Sequence, residues 1–168
     1  DKVARFIGLA FPGGPEIDRL AREGDPAAIK FPRAMMNDDS YDFSMSGLKT
    51  AVIRWIREQE AAGNAIDVAD VAASFQEAIV DVQVAKTLRA AKDRGVRSIV
   101  VAGGVAANSR LRQRIGEEGG AAGFEVVIPS LALCTDNGAM IAAAGMRRLQ
   151  RGESSALDIS ADPNMPLP

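Results

Sequence analysis

Apolar residues recur at helical spacing along much of the chain, and the clearest run follows Asp67. There Val68, Val71, Phe75, Ile79, Val82, Ala85 and Leu88 return every three or four positions until Gly95, which predicts one long helix capped by Asp67. A shorter stripe of Leu48, Ala51, Val52, Trp55 and Ile56 predicts a helix from about residue 48 to 60, broken by Gly63-Asn64. Val3, Phe6 and Ile7 share one helical face at the start of the chain. Pro12-Gly13-Gly14-Pro15 reads as a rigid turn with Pro15 at the first position of a short helix through Arg22. Pro26, Pro32 and the cluster Asn37-Asp38-Asp39 mark residues 24–39 as loop, with one short strand expected around Ile29 to Phe31. Tyr41-Asp42-Phe43 alternates like a strand end.

The pattern changes character after Ser98. A β-branched run, Ile99 to Val101, meets Gly103-Gly104, and Asn108-Ser109 then opens the periodic segment Leu111 to Ile115. This predicts strand, tight turn and helix. Gly119-Gly120 is expected to loosen the helix end, and Phe124 to Ile128 to form a second, buried strand. Together they make a βαβ unit, whose crossover is right-handed in nearly all proteins. Gln76 and Glu77 of the long helix read as surface or helix-contact polar groups, and its apolar stripe as the cover of the parallel strands. Beyond a loop from Pro129 to Cys134, Thr135-Asp136-Asn137 opens a last helix whose small residues, from Gly138 to Gly145, permit close packing. Arg147, Arg148 and Arg151 complement its C-terminal dipole. The tail from Ser154 reads as extended or disordered.

Composition narrows the chemistry. With 168 residues, 47% hydrophobic and 25% charged, the chain has one domain's worth of core, and no apolar run approaches the roughly 20 residues of a membrane span. A cytosolic protein is expected. Its single cysteine, Cys134, excludes an internal disulfide. Histidine is absent, which removes the commonest general base and the commonest metal ligand. A net charge of −2 gives no global attraction to nucleic acid, so such contacts need a local patch or a partner's surface. Asp1 in place of an initiator methionine suggests a chain cut inside a longer protein.

The Gly103-Gly104 turn is the first candidate site. Glycines there let backbone N–H groups approach a ligand, and the following helix start favours an anion or a hydrogen-bonding ligand edge. Neither GxxxxGK[ST] nor GxGxxG is present. Asn108 fits two roles, ligand contact or plain N-cap. Gly14 allows close backbone approach, and Asp18, one helical turn on, is either a ligand group or a solvated charge. Lys49 opposes a helix dipole and suits a phosphate or simply solvent. Asp136 reads as lying at the carboxyl end of a strand, where α/β folds place ligands, and an aspartate at a helix start also serves as a cap.

Five blocks, PGGPEIDRLA, DFSMSGLKTAV, ASFQEAIVDV, VAGGVAANSRLR and CTDNGAMIAAAG, resemble in order the second half of the TsaD family of tRNA adenosine threonylcarbamoyltransferases. The resemblance runs from Asp1 to about Gly145. It implies an α/β fold, the second lobe of the actin/hexokinase/Hsp70-like ATPase architecture with its ribonuclease H-like core, over residues 1–150, followed by a tail over 151–168. It also implies transfer of a threonylcarbamoyl group from threonylcarbamoyl-adenylate to the exocyclic amine of the adenosine beside the anticodon. By the same resemblance, Asp1, Gly14, Asp18, Gly103, Gly104 and Asn108 face the adenylate, and Asp136 is a ligand to iron(II) or zinc. The implied partners are tRNA, a paralogous ATPase-fold protein and a P-loop ATPase.

The chain lacks the family's metal-binding histidine pair and its glycine-rich phosphate loop. The resemblance therefore implies part of a site, inactive by itself. The competing reading is a non-catalytic lobe serving as a dimerisation or scaffold module. The family's former label as an endopeptidase finds neither HExxH nor a nucleophile and base.

Overall fold

A computed structural model describes residues 1–165; the end of the tail, Pro166 to Pro168, lies outside the described residues. Its elements are α1 (Lys2–Phe6), α2 (Gly13–Leu20), α3 (Ser46–Ala61), α4 (Val68–Asp93), β1 (Ser98–Val100), α5 (Ser109–Ala121), β2 (Glu125–Val127) and α6 (Gly138–Gln150), with single 3₁₀ turns at Gly104–Ala107 and Leu131–Leu133. By backbone contacts, Asp1 to Cys134 forms one unit and a second begins at Thr135.

The first unit is organised on α4. Asp67 caps it as expected, accepting from the backbone N–H groups of Ala69 and Asp70. Its burial is wider than the predicted stripe. Val71 through Gln76 are all buried, as are Val80, Val82 and Val84, whereas Ala85 of the stripe is exposed. The reason is that α4 is surrounded: α2 packs on it, α5 packs on it, and residues 25–42 run along it as an irregular strap. One apolar cluster joins α1, α2, α3 and the first half of α4, including Phe31, whose ring meets Trp55 edge-on at 6.1 Å. A smaller one joins Val80 and Val84 to Leu111 and Ile115 of α5.

The strap explains why the strands expected at residues 29–31 and 41–43 are absent. Its polar groups are satisfied by side chains of α4, taken in order along both segments. The Asp25 N–H donates to Asp70 (2.7 Å), the Ile29 N–H to Ser74 Oγ (3.0 Å), Arg33 pairs with Asp81 (2.8 Å), and the Tyr41 hydroxyl donates to Asp93 (2.9 Å). Lys86, only 1% exposed, donates to Asp38 Oδ1 (2.6 Å) and to the carbonyls of Ser40 (3.0 Å) and Asp42 (2.8 Å), filling all three of its donor positions. Arg89 adds bonds to the carbonyls of Asp38 and Ser40. A backbone served this way needs no ladder partner.

β1 and β2 pair in parallel, Ser98 with Glu125 through Val100 with Val127, and two bonds at the ends extend the ladder. The strand, turn, helix, strand order is therefore as predicted. Burial of β2 is not: Glu125 and Val127 are exposed, and only one face of the pair is covered, with Ile99 buried but Val100 open. Gly119 and Gly120 lie inside α5 rather than loosening its end, which comes at Gly123 with φ of 86°. A Cβ on Gly119 would stand 2.6 Å from Val126 Cγ2, so glycine there lets the helix lie close on the strand.

α2 begins at Gly13 with Pro12 as N-cap, so the expected turn residues Gly13, Gly14 and Pro15 form its first turn and Pro15 is third, not first. Phe6 of the expected α1 face is 37% exposed, leaving Val3 and Ala4 as the buried pair. In the second unit α6 is capped by Asn137, which accepts from the Met140 N–H at 3.0 Å. None of its residues is buried, so the close packing expected of its small residues is not found among the described residues.

Candidate functional site

Two chain segments far apart in sequence meet at Asp18. Its carboxylate is buried on α2, and Oδ1 accepts from both the backbone N–H (2.9 Å) and the hydroxyl (2.8 Å) of Ser109, the first residue of α5. Oδ2 accepts from Arg22 at 2.9 Å. Asp18 is thus a held anion at a helix N-terminus, not a solvated charge. Beside it, Asn108 caps α5 by accepting from the Leu111 N–H (2.9 Å) while its Nδ2 donates to Gln76 Oε1 (2.7 Å). Of the two readings of Gln76, surface or helix contact, this is the second: it is buried and bonded to the start of α5. Asn108 still has one amide hydrogen and one carbonyl lone pair free for a ligand. Arg22, Gln76, Glu77, Ser109 and Arg110 line a cavity of about 310 Å³ here.

The turn before Asn108 has the geometry its glycines suggest. Gly103 has φ of 85°, a conformation that favours glycine, and nothing stands within 4 Å of where a Cβ would lie on Gly103 or Gly104. The space in front of this backbone is open.

Asp1 and Gly14 lie at a second locus in the same unit. Asp1 Oδ1 accepts from the Gly13 N–H at 2.7 Å, which ties the start of α1 to the start of α2. Gly13, which the sequence reading passed over, has no room for a side chain: a Cβ would lie 2.4 Å from Ala4 Cβ and 2.9 Å from Asp1 Cα. Gly14 beside it faces open space, so packing does not require glycine there. Asp1, Lys2, Arg5, Phe11 and Gly13 line a cavity of about 670 Å³.

Next to Asp18 and Asn108, charges lock α4 to α5. Glu77 accepts from Arg110 (2.7 and 2.8 Å) and Arg114 (2.7 Å); Asp81 accepts from Arg114 (2.8 Å) and Arg33, and Arg114 also pairs with Glu118. The Arg110 hydrogen bond holds the Glu77 carboxyl below its ordinary range despite burial. Burial works against ionisation of Asp81, yet hydrogen bonds from Arg114 and Arg33 outweigh it and its pKa also falls. Arg114 is raised, since its carboxylate partners, Glu118 and Asp81 first, outweigh its own desolvation.

Asp136 belongs to the second unit, is exposed, and is separated from the end of β2 by residues 128–135. The cap of α6 is its neighbour Asn137, so a capping role for Asp136 is excluded. No group of three or more His, Cys, Asp or Glu side chains that could hold a metal lies among the described residues. With no histidine in the sequence and no such group around the Asp136 carboxylate, the described residues do not by themselves make a metal site.

Sequence reasoning missed the Ser109 contact, and for Gln76 it offered a helix contact without naming Asn108 as the partner. The capping pattern at Asn108-Ser109 was visible, but which distant carboxylate and amide would meet it depends on how α2, α4 and α5 pack.

The family model for tRNA N6-adenosine threonylcarbamoyltransferase, TsaD, matches residues 1–143. The chain belongs to the TsaD family. Similar proteins with that name include one from Clostridium botulinum (strain 657), 52% identical over 167 residues, and one from Thermotoga neapolitana, 50% identical over 165. The matches cover 99% and 98% of this chain and 49% of each relative, so the chain spans about half the length of the curated relatives it matches. TsaD membership implies an actin/hexokinase/Hsp70-like fold, and the helix-rich α/β unit with its parallel strand pair agrees with it. No helix among the described residues is long and apolar enough to cross a membrane.

Proposed function

We propose that this chain supplies the second lobe of a cytoplasmic tRNA threonylcarbamoyltransferase, with Asp18, Gly103, Gly104 and Asn108 on one wall of its adenylate cleft and Gly14 contributing from the second locus. The observation that carries this reading is the Asp18 to Ser109 contact. It joins, across 91 residues and next to an open glycine turn, two sequence blocks to which the family resemblance gives adenylate-binding roles. In this role Asn108 uses its free amide hydrogen and lone pair toward the base or ribose, and the Asp18 carboxylate keeps the α5 start in register. Asp1 accepts from a ligand hydroxyl through Oδ2. Asp136 would contribute one carboxylate to an iron or zinc site whose remaining ligands would come from elsewhere. The acyl acceptor is tRNA, the donor is threonylcarbamoyl-adenylate, and a paralogous ATPase-fold protein and a P-loop ATPase complete the assembly.

An NMR titration of the wild-type chain and Asn108→Ala with adenosine and ATP tests the wall. Millimolar affinity, about −4 kcal/mol, is expected for adenosine, with little gain from the phosphates. Shifts should cluster from Gly103 to Asn108, and binding should weaken by about 1 to 3 kcal/mol in Asn108→Ala. Equal shifts in both proteins would mean that Asn108 is only a cap and overturn the reading.

A further inference from the structure

Arg112 stands apart from the other arginines of α5. Arg110 and Arg114 pair with carboxylates, whereas the fork of Arg112 is spent on backbone: Nη1 donates to the Ala106 carbonyl (2.8 Å) and Nη2 to the Pro129 carbonyl (2.7 Å). Nη1 also lies 3.6 Å from the sulfur of Cys134, a buried thiol that itself donates to the Ser130 carbonyl at 3.5 Å. Ala106 is 1% exposed and belongs to the 3₁₀ turn between Gly103 and Asn108. Pro129 and Cys134 bound the segment that leaves β2. One planar guanidinium therefore spans the loops at the carboxyl ends of both strands, and its rigid geometry fixes the distance between two carbonyls as a flexible ammonium cannot.

We propose that Arg112 is a positioning residue that sets the Gly103 to Asn108 turn in its ligand-receiving geometry and couples that turn to the Pro129 to Cys134 segment. This rests on the reading that the turn receives an adenine nucleotide. A side chain that merely stabilised α5 would have no need of carbonyls in two separate loops. Since Arg112 holds carbonyls and not a ligand, it acts through the turn it shapes.

The test compares the wild-type chain with Arg112→Lys and Arg112→Ala by urea unfolding, amide shifts and hydrogen exchange, and titration with adenosine. Arg112→Lys keeps the charge and the aliphatic stem, so its unfolding midpoint should stay near wild type and the experiment stands even if Arg112→Ala fails to fold. Its amides should nevertheless shift and exchange faster in both loops together, and adenosine affinity should fall about tenfold. Changes confined to one loop, or wild-type affinity in Arg112→Lys, would overturn the proposal. Should wild type bind no adenosine, the nucleotide reading fails by itself, and the coupling is judged on the two loops' amides alone.

Discussion

α4 and α6 are both alanine-rich helices with apolar stripes and polar caps, yet one is buried on nearly every side and the other on none. The contrast shows how little of a helix's fate lies in its own periodicity. α4 is enclosed because α2, α5 and the strap of residues 25–42 bring both apolar surface and matched polar groups to it. α6 exposes Met140, Ile141, Met146 and Leu149, the last at 64%.

Core truncation should give the widest gap between the two helices. Phe75→Ala on α4 is expected to cost about 3 to 5 kcal/mol in urea unfolding, whereas Leu149→Ala on α6 should stay within about 0.5 kcal/mol. A cost above 1 kcal/mol for Leu149→Ala would mean that α6 is covered in solution.

Charge gives the next effect, and its buried part lies between α4 and its neighbours. Glu77 and Asp81 have lowered folded-state pKa values, so their contribution is complete above the ordinary carboxylate range and is lost as pH falls through the folded values. Stability should be level from about pH 5 to 8 and fall below about pH 4. Asp81→Asn, which leaves Arg33 and Arg114 short of a partner, should cost about 1 to 3 kcal/mol at pH 7 and flatten the acid limb. An unchanged acid limb in that variant would remove the network from the account.

The caps make the finest comparison. Asp67→Ala should lower global stability by about 1 kcal/mol, since α4 unfolds with its whole unit. Asn137→Ala should instead speed amide exchange within α6 and leave the unfolding of the first unit unchanged.

Much of this was legible in the sequence. Caps at Asp67 and Asn108, the βαβ order and the family blocks all rest on local chemistry, which a pattern of residues states directly. What failed depended on partners distant in sequence. Ile29 to Phe31 has strand-like residues, but Ser74 takes the hydrogen bond a ladder would have made. Gly13 was passed over for Gly14 because its need is set by Ala4 and Asp1 across a helix pair. At the candidate site, residue identity left Asp18 and Asn108 open between ligand and structural roles and the family resemblance singled them out, while their partners Ser109 and Gln76 emerged only when three helices were brought together.

The edge-on contact of Trp55 with Phe31 also decides what light can report about this molecule. Trp55 is its only tryptophan and Tyr41 its only tyrosine, and both belong to the first unit. Indole fluorescence will follow the cluster around α3, and the Tyr41 phenol, raised in pKa by its hydrogen bond to Asp93, will report the far end of the strap through its alkaline absorbance change. Neither chromophore lies in the segment that carries α6, so an optical melt of this chain is a melt of α4 and its surroundings, silent about the helix beyond Asp136.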